Sequence, residues 1–157
     1  MTTIMGIDQS YSCSGIVIFK NKKIVYADVF KTSKIDDIFT RANAVANHIL
    51  NLALTYKPSL ISIEGLAFGM RGDATRDLAG LQFTIINKLR FCGRFNVSIV
   101  TPNSVKKFAT GSGKAKKVDM FEALPQKTKK KFLDLGVKKT TGLYDLTDAF
   151  WIGKIVE

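Results

Sequence analysis

The chain has 157 residues, of which 46% are hydrophobic and 24% are charged. This balance is typical of a globular protein and excludes wholesale disorder, and the length predicts a single domain over residues 1–157. No apolar run approaches the roughly 20 residues that span a bilayer, and Met1 opens into Thr2-Thr3-Ile4 rather than a basic and then apolar leader. We therefore expect a soluble, cytoplasmic protein.

The charge balance is strongly basic. The chain has 24 Lys and Arg residues against 13 Asp and Glu residues, which leaves a net charge of +11. Such an excess favours a nucleic-acid partner, because each cation placed against a phosphate releases condensed counterions. A basic protein whose charge only keeps it soluble is the alternative. No lysine-rich helix carries a large apolar face, so a membrane partner is disfavoured.

Cysteine usage excludes a disulfide-rich protein and a structural zinc protein. Cys13, Cys92 and the single His48 make neither a disulfide framework nor a zinc ligand set. We expect free thiols and a reducing compartment.

The first part of the chain predicts strands. Short apolar segments cover residues 3–8, 15–20 and 24–30, and the polar turn 21–23 links the last two. Strands so closely connected predict an antiparallel start to a sheet. Two later segments, 60–64 and 96–100, also read as strands.

Helical periodicity fills most of the remainder. The predicted helices, in chain order, cover residues 36–56, 74–91, 102–108, 116–124, 125–135 and 144–156. Thr101-Pro102 has the form of an N-cap followed by a first-turn proline. The order of elements predicts one α/β domain with a mixed central sheet.

Four carboxylates occupy positions that suggest a shared site. Asp8 ends the first strand, Glu64 ends the fourth, and Asp145 and Asp148 lie three residues apart on the last helix. Taken singly, each aspartate could be a turn former or a helix cap. Together, in so basic a chain, they would repel one another unless cations neutralise them. Oxygen ligands of this kind suit Mg²⁺ or Mn²⁺, and two such ions can activate water against a phosphodiester.

The chain resembles the RuvC-type Holliday-junction resolvases of the ribonuclease-H-like superfamily, which include phage members. Four segments carry the resemblance in order: Ile4-Met5-Gly6-Ile7-Asp8-Gln9-Ser10 with Gly15 beyond it, Ile61-Ser62-Ile63-Glu64, Gly111-Ser112-Gly113-Lys114-Ala115-Lys116-Lys117, and Asp145-Leu146-Thr147-Asp148-Ala149. The resemblance implies a ribonuclease-H-like fold, with a mixed five-stranded sheet flanked by helices. It also implies a metal-dependent endonuclease that acts as a homodimer on branched DNA.

The resemblance also assigns residues. Asp8, Glu64, Asp145 and Asp148 occupy the positions of the family's metal-binding catalytic carboxylates. Lys106 and Lys117 fall where the family has two lysines needed for cleavage, with Lys117 expected at the scissile phosphate and Lys106 on a backbone phosphate. Solvated helix lysines are the alternative for both. Lys114 and Lys116 are bracketing candidates for DNA contacts.

One loop departs from the family's bacterial members, in which an aromatic wedge closely follows the second catalytic acid. Here Phe68 stands one position further on, as either a base-stacking residue or a core residue. Arg71 and Arg76 nearby favour a DNA-facing loop. The junction and sequence preference of the protein is therefore open.

Several functions stay open beside junction resolution. A broad-specificity debranching nuclease, a ribonuclease H and a junction-binding module without cleavage all fit parts of the pattern. A nucleotide-binding protein of the sugar-kinase class is disfavoured, because those proteins close two domains around a nucleotide. The dimer face is also open: Leu78, Leu81, Ile85 and Leu89 form a stripe that fits either a subunit interface or ordinary core.

Overall fold

A computed structural model describes residues 2–34, 36–66 and 72–157 of the chain. Five strands form one sheet in the order β3-β2-β1-β4-β5. Their bounds are β1 Thr3–Asp8, β2 Cys13–Lys20, β3 Lys23–Lys31, β4 Leu60–Glu64 and β5 Val97–Val100. The first three strands are antiparallel, whereas β4 runs parallel to β1 and β5 parallel to β4. The predicted mixed five-stranded sheet is confirmed.

Six helices surround the sheet within the described residues. Their bounds are α1 Ile38–Tyr56, α2 Asp73–Asn87, α3 Pro102–Thr110, α4 Lys117–Glu122, α5 Gln126–Asp134 and α6 Leu143–Lys154. A π-helical turn, Lys88–Cys92, continues α2. The side chain of Thr101 accepts a hydrogen bond from the Ser104 N–H, so the predicted start of α3 is confirmed. None of the described helices is both long enough and apolar enough to cross a membrane.

The two faces of the sheet carry separate cores, because side chains alternate along each strand. Met5 and Ile7 of β1 point to the face covered by α1 and α2. Ile4 of β1 and Phe19 of β2 point to the face covered by α6. The result is three layers, with helices on both sides of the sheet.

The apolar stripe of α2 belongs to the core. Leu81, Ile85 and Leu89 are fully buried against α1 and the sheet, and Leu78 packs at the margin of the same cluster. The interpretation of this stripe as a subunit interface is wrong for the buried residues, since a side chain already covered within one chain has no area left to bury against a second.

Candidate active site

The sheet brings the first two carboxylates to one edge. Strands β1 and β4 are parallel neighbours, with Ile7 paired to Ile63. Asp8 and Glu64 follow that pair directly, as the last residues of their strands. Both side chains therefore emerge at the same carboxyl edge of the sheet, where the crevices of α/β folds lie.

Helix α6 brings the other two carboxylates because two glycines let its backbone lie directly on the sheet. A Cβ on Gly6 would come within 2.1 Å of the Ala149 carbonyl oxygen. A Cβ on Gly15 would come within 2.1 Å of the Asp145 carbonyl oxygen. No larger residue fits either position without displacing α6, so this contact fixes the first turns of α6, which carry Asp145 and Asp148, beside Asp8.

Two lysines complete the site from the other side. Lys106 lies on α3 and Lys117 is the first residue of α4. Both line a cleft of about 280 Å³ together with Asp8, Glu64 and Asp148. The remaining lining residues are Gly65, Leu66, Leu78, Pro102 and Met120. Carboxylates thus face ammonium groups across a small, partly apolar cleft.

Burial and mutual repulsion raise the pKa values of these carboxyl groups. The pKa of Asp8 lies well above its usual range, first because of burial and then because of Asp148, Glu64 and Asp145, while Lys117 opposes the rise. Burial, followed by Asp148, raises the pKa of Glu64 to about 7. Burial, with a smaller contribution from Asp145, raises the pKa of Asp148 to about 6, although Lys117 opposes this rise.

Asp145 stands behind the cleft rather than in its lining. Its Oδ2 atom is buried without a hydrogen-bond partner in the described part of the chain. Buried polar atoms are nearly always paired, so an unpaired carboxylate oxygen suggests a missing ligand. Cys13, buried beside it, is no nucleophile: burial and the neighbouring Asp145 raise the pKa of its thiol to about 12.

The four carboxyl groups suit a hard cation, although they are not already arranged as a complete metal site. Four carboxyl groups offer only oxygen ligands, as Mg²⁺ and Mn²⁺ prefer. No three acidic, histidine or cysteine side chains among residues 2–34, 36–66 and 72–157 already have the arrangement of a metal site. In the chemistry of their donor atoms and in their location, the carboxyl groups therefore fit a divalent cation.

Two glutamines that the sequence analysis missed hold the backbone of Glu64. The amide nitrogen of Gln9 donates to the Glu64 carbonyl oxygen at 3.0 Å, and that of Gln82 donates to the same oxygen at 2.7 Å. Both side chains are buried. The signal was present in the sequence, because Gln82 interrupts the apolar stripe of α2 between Leu81 and Ile85.

The remaining predicted DNA-binding residues lie outside the cleft or outside the described residues. Lys114 and Lys116 are exposed in the segment before α4 and do not line the cleft. Arg76 is exposed on α2 and pairs with Asp73 at 3.2 Å. Phe68 and Arg71 lie outside the described residues.

Solved structures share this architecture over nearly the whole chain. The Thermus thermophilus RuvC structure matches 97% of this chain and 91% of its own, with a TM-score of 0.70 and 18% identity. The yeast mitochondrial Holliday junction resolvase Ydc2 matches 97% of this chain and 76% of its own, with a TM-score of 0.69 and 15% identity. The fold is therefore the ribonuclease-H-like fold of these resolvases.

Sequence comparison gives the family. Residues 4–150 match the family model described as crossover junction endodeoxyribonuclease RuvC, and the chain belongs to this enzyme family. A curated relative of that description from Rickettsia akari (strain Hartford) is 27% identical over 120 residues, or 73% of this chain and 74% of the relative. A second relative of that description, from Rickettsia bellii (strain OSU 85-389), is 28% identical over 120 residues, or 73% of this chain and 74% of the relative.

Proposed function

We propose that this protein resolves four-way DNA junctions by hydrolysing one phosphodiester bond in each of two opposed strands. The observation that carries the proposal is the cleft in which Asp8, Glu64 and Asp148 face Lys106 and Lys117. The two lysines would offset the negative charge of a phosphodiester bound in this cleft. The carboxylates would supply oxygen ligands for a metal ion that activates water. The names of the relatives, and a Thermus thermophilus RuvC structure in complex with a Holliday junction substrate, support the choice of DNA substrate.

Asp8, Glu64, Asp145 and Asp148 would hold the divalent cations, Mg²⁺ or Mn²⁺, with two ions per site. The unpaired Asp145 oxygen supports this assignment, and so does the raised pKa of Asp8, to which the other three carboxyl groups contribute. When bound, the cations supply an activated water and neutralise charge on the phosphate. The protein's own part is to hold the four carboxyl groups together at a place where burial disfavours the ionised forms of Asp8, Glu64 and Asp148.

The two lysines would act on the phosphate. Lys117 lowers the pKa of Asp8, Glu64 and Asp148, so its charge acts on all three carboxylates that line the cleft. An ammonium so placed offsets negative charge as it develops on the scissile phosphate. Lys106 lowers the pKa of Glu64 and Asp148 and would hold a neighbouring backbone phosphate.

DNA on either side of the cleft would meet further basic residues. Lys114 and Lys116 are exposed immediately before the helix that carries Lys117, and Arg76 is exposed on α2. We assign these three to backbone phosphates, as we do Arg71, and Phe68 to base stacking. Such contacts position DNA without reading its sequence.

Two opposed cuts require two active sites, and each chain supplies one cleft. We therefore propose a homodimer, with each subunit cutting one strand. Phe83 on α2 and Phe91 in the π-helical turn are 64% and 80% exposed. Phe83 lies on the helix that carries Gln82, and Phe91 lies on the turn that continues this helix. We propose these two aromatic side chains, instead of the buried stripe, as the subunit contact.

The protein would act in the cytoplasm, which is the host's if a phage encodes it. Cys13 and Cys92 are both free, and free thiols persist in a reducing compartment. DNA undergoing recombination or repair is accessible there.

A panel of labelled substrates tests the proposal. A four-way junction, a fork, a flap, a linear duplex and an RNA–DNA hybrid are incubated with Mg²⁺, Mn²⁺ or EDTA. We expect paired symmetric nicks in the junction that EDTA abolishes. Equal cutting of forks and flaps would indicate a general debranching nuclease, and cutting of the hybrid alone a ribonuclease H. Tight binding without cutting would leave a junction-binding module.

A further inference from the structure

A second cleft, of about 340 Å³, lies between the β2–β3 turn, α5 and α6. Five of its nine lining residues are lysines, namely Lys22, Lys23, Lys127, Lys131 and Lys154. Neither Asp nor Glu is among the lining residues that the structure describes. We call this feature the lysine cleft. Its cations come from three separate elements, so the tertiary fold, rather than one charge run, concentrates them.

The lysine cleft lies at the end of the molecule away from the carboxylates. Antiparallel pairing places Asp8 opposite Gly15 at one end of β1 and Thr3 opposite Lys20, beside the turn, at the other. Asp145 and Lys154 are separated by about 13.5 Å along the axis of α6, at 1.5 Å per residue. The lysine cleft is therefore distinct from the cleft that holds Asp8, Glu64 and Asp148.

Two of its lysines are fixed by contacts, while others present free charge. Lys131 donates to the Ile24 carbonyl oxygen at 3.2 Å, and Lys154 pairs with Glu157. Lys23 and Lys127 are exposed and form no ion pair within the described part of the chain. Phe150 provides an apolar wall of low dielectric, which strengthens the field of the cations beside it.

The hairpin keeps lysines at positions where local structure disfavours them. Lys22 occupies the second central position of the turn with φ of 66°, a left-handed conformation in which hairpins favour glycine. Lys20 stands directly across from Lys23, and like charges at paired positions repel. The hairpin end therefore adds closely spaced positive charge to the lysine cleft, which a polyanion would neutralise.

We propose that the lysine cleft binds the phosphodiester backbone of a DNA duplex, apart from the strand held at the carboxylates. The inference rests on the proposed function, which supplies DNA as the substrate. Ammonium groups are point charges that grip phosphates without reading bases. A second hold on the backbone would fix the direction of a duplex relative to the active site.

The test compares two charge-reversed variants with the same change in net charge. The first is Lys23→Glu with Lys127→Glu, in the lysine cleft. The control is Lys34→Glu with Lys57→Glu, two exposed lysines outside it. Lys57 is the C-cap residue of α1, which covers the opposite face of the sheet. All four lysines are exposed and none is an active-site residue, so both variants should fold. In the lysine-cleft variant, Lys23→Glu also removes the repulsion from Lys20.

Junction affinity is measured against salt concentration in EDTA, where no cleavage occurs. We expect the lysine-cleft variant to bind at least about tenfold more weakly near 0.1 M salt. The slope of log affinity against log salt should fall by about two, since each lost phosphate contact removes about 0.9. The control should change both far less, and Mg²⁺-dependent cleavage at saturating junction should stay at the wild-type rate in both variants.

The duplex could be an arm of the bound junction or a separate molecule. Weaker binding of an isolated junction indicates an arm. If sedimentation shows that the wild-type complex carries a second, unlinked duplex and that the lysine-cleft variant does not, the duplex is a separate molecule. Either result supports the proposal, and matching salt slopes and stoichiometries in variant and control overturn it. If wild-type protein neither binds nor cuts junctions, the proposed function fails instead, so the two failures are distinguishable.

Discussion

At the residue scale, the carboxyl group of Asp8 lies among groups that disfavour its ionised form. Burial and three neighbouring carboxyl groups raise its pKa, and only Lys117 acts in the other direction. A structural aspartate would be matched by hydrogen bonds or cations that lower its pKa. Asp8 instead occupies a place where its negative charge is costly, which is typical of a functional carboxylate.

Replacing Asp8 with Asn removes that charge and keeps the shape. We expect Asp8→Asn to lower the cleavage rate at least about 10³-fold, because a proposed metal ligand is lost, while junction affinity in EDTA stays within about threefold of wild type. Gel-based cleavage and binding assays measure the two quantities. The exposed Asp28→Asn on β3 is the control and should cleave normally. Wild-type turnover by Asp8→Asn would exclude Asp8 from the site.

The raised pKa of Glu64 predicts a stability that depends on pH. The folded-state pKa is about 7 against 4.5 for an ordinary glutamate, so between these values the folded protein holds a proton that the unfolded chain releases. The stability contribution is therefore fully present below about pH 4.5 and is lost as pH rises towards 7. Without metal, the stability of Glu64→Gln should increase relative to wild type as pH rises over this interval, by on the order of 3 kcal/mol once the pH exceeds 7.

Thermal unfolding in EDTA from pH 4.5 to 8 measures this difference. Mg²⁺ or Mn²⁺ should raise the wild-type Tm more at pH 8 than at pH 5, and should raise the Tm of Glu64→Gln less. The exposed Asp134→Asn should follow the wild-type pH profile. A constant offset between wild type and Glu64→Gln across this range would contradict the assigned shift.

At the scale of elements, the contact of α6 with the sheet positions half of the carboxylates. Gly15→Ala would place a Cβ within 2.1 Å of the Asp145 carbonyl oxygen. We expect a loss of at least about 2 kcal/mol, typical of overpacking, together with a large fall in cleavage. Gly80, in mid-α2, is the matched control: a Cβ there meets only the Tyr11 hydroxyl, at 4.0 Å.

Gly80→Ala should therefore raise the free energy of unfolding by about 0.5–1 kcal/mol, because alanine loses less backbone entropy in a helix. Urea denaturation and cleavage assays on both variants check the pair. Equal stability changes in the two variants would show that α6 does not rest on Gly15.

Helix α2 contacts the proposed active site through Gln82. Its amide holds the carbonyl of Glu64, and Gln82→Leu would leave one donor, Gln9, at that oxygen. We expect kcat to fall about tenfold with little change in KM, and a higher metal concentration for half-maximal rate, because Glu64 is less well positioned. The exposed Gln126→Leu on α5 is the control. An unchanged kcat in Gln82→Leu would show that the hydrogen bond from Gln82 to Glu64 does not position Glu64 for cleavage.

At the scale of the whole molecule, paired cuts depend on the proposed dimer. Phe83→Glu places a charge where the aromatic contact is proposed and should convert the dimer to monomer at micromolar concentration. Leu133→Glu on α5 changes a residue of similar exposure, 55% against 64% for Phe83, and should leave the dimer intact. Sedimentation measures the mass. A Phe83→Glu protein that remains dimeric would place the interface elsewhere.

Monomeric protein should also lose coordination between its cuts. Each subunit carries one carboxylate cleft, so a monomer can nick one strand at a time. Cleavage of a supercoiled cruciform distinguishes the outcomes, because paired cuts give linear product and single cuts give nicked circles.

The sequence by itself determined the parts of this protein that depend on local pattern. Alternating and continuous apolar runs predicted β1 and β4 with their observed bounds, and the caps predicted the start of α3. The same pattern placed Asp8 and Glu64 at strand ends. Strands end where apolar residues give way to polar ones, so these carboxylates were visible without any long-range contact.

Only the tertiary structure decided what depends on residues far apart in the chain. It showed that the α2 stripe is core, that Gly6 and Gly15 admit α6, and that Gln9 and Gln82 meet at Glu64. It also distinguished Lys106 and Lys117, which line the cleft, from Lys114 and Lys116, which do not. Periodicity reports which face of an element is apolar, but not what covers that face. Packing between elements settles that question, because burial is a property of the whole fold.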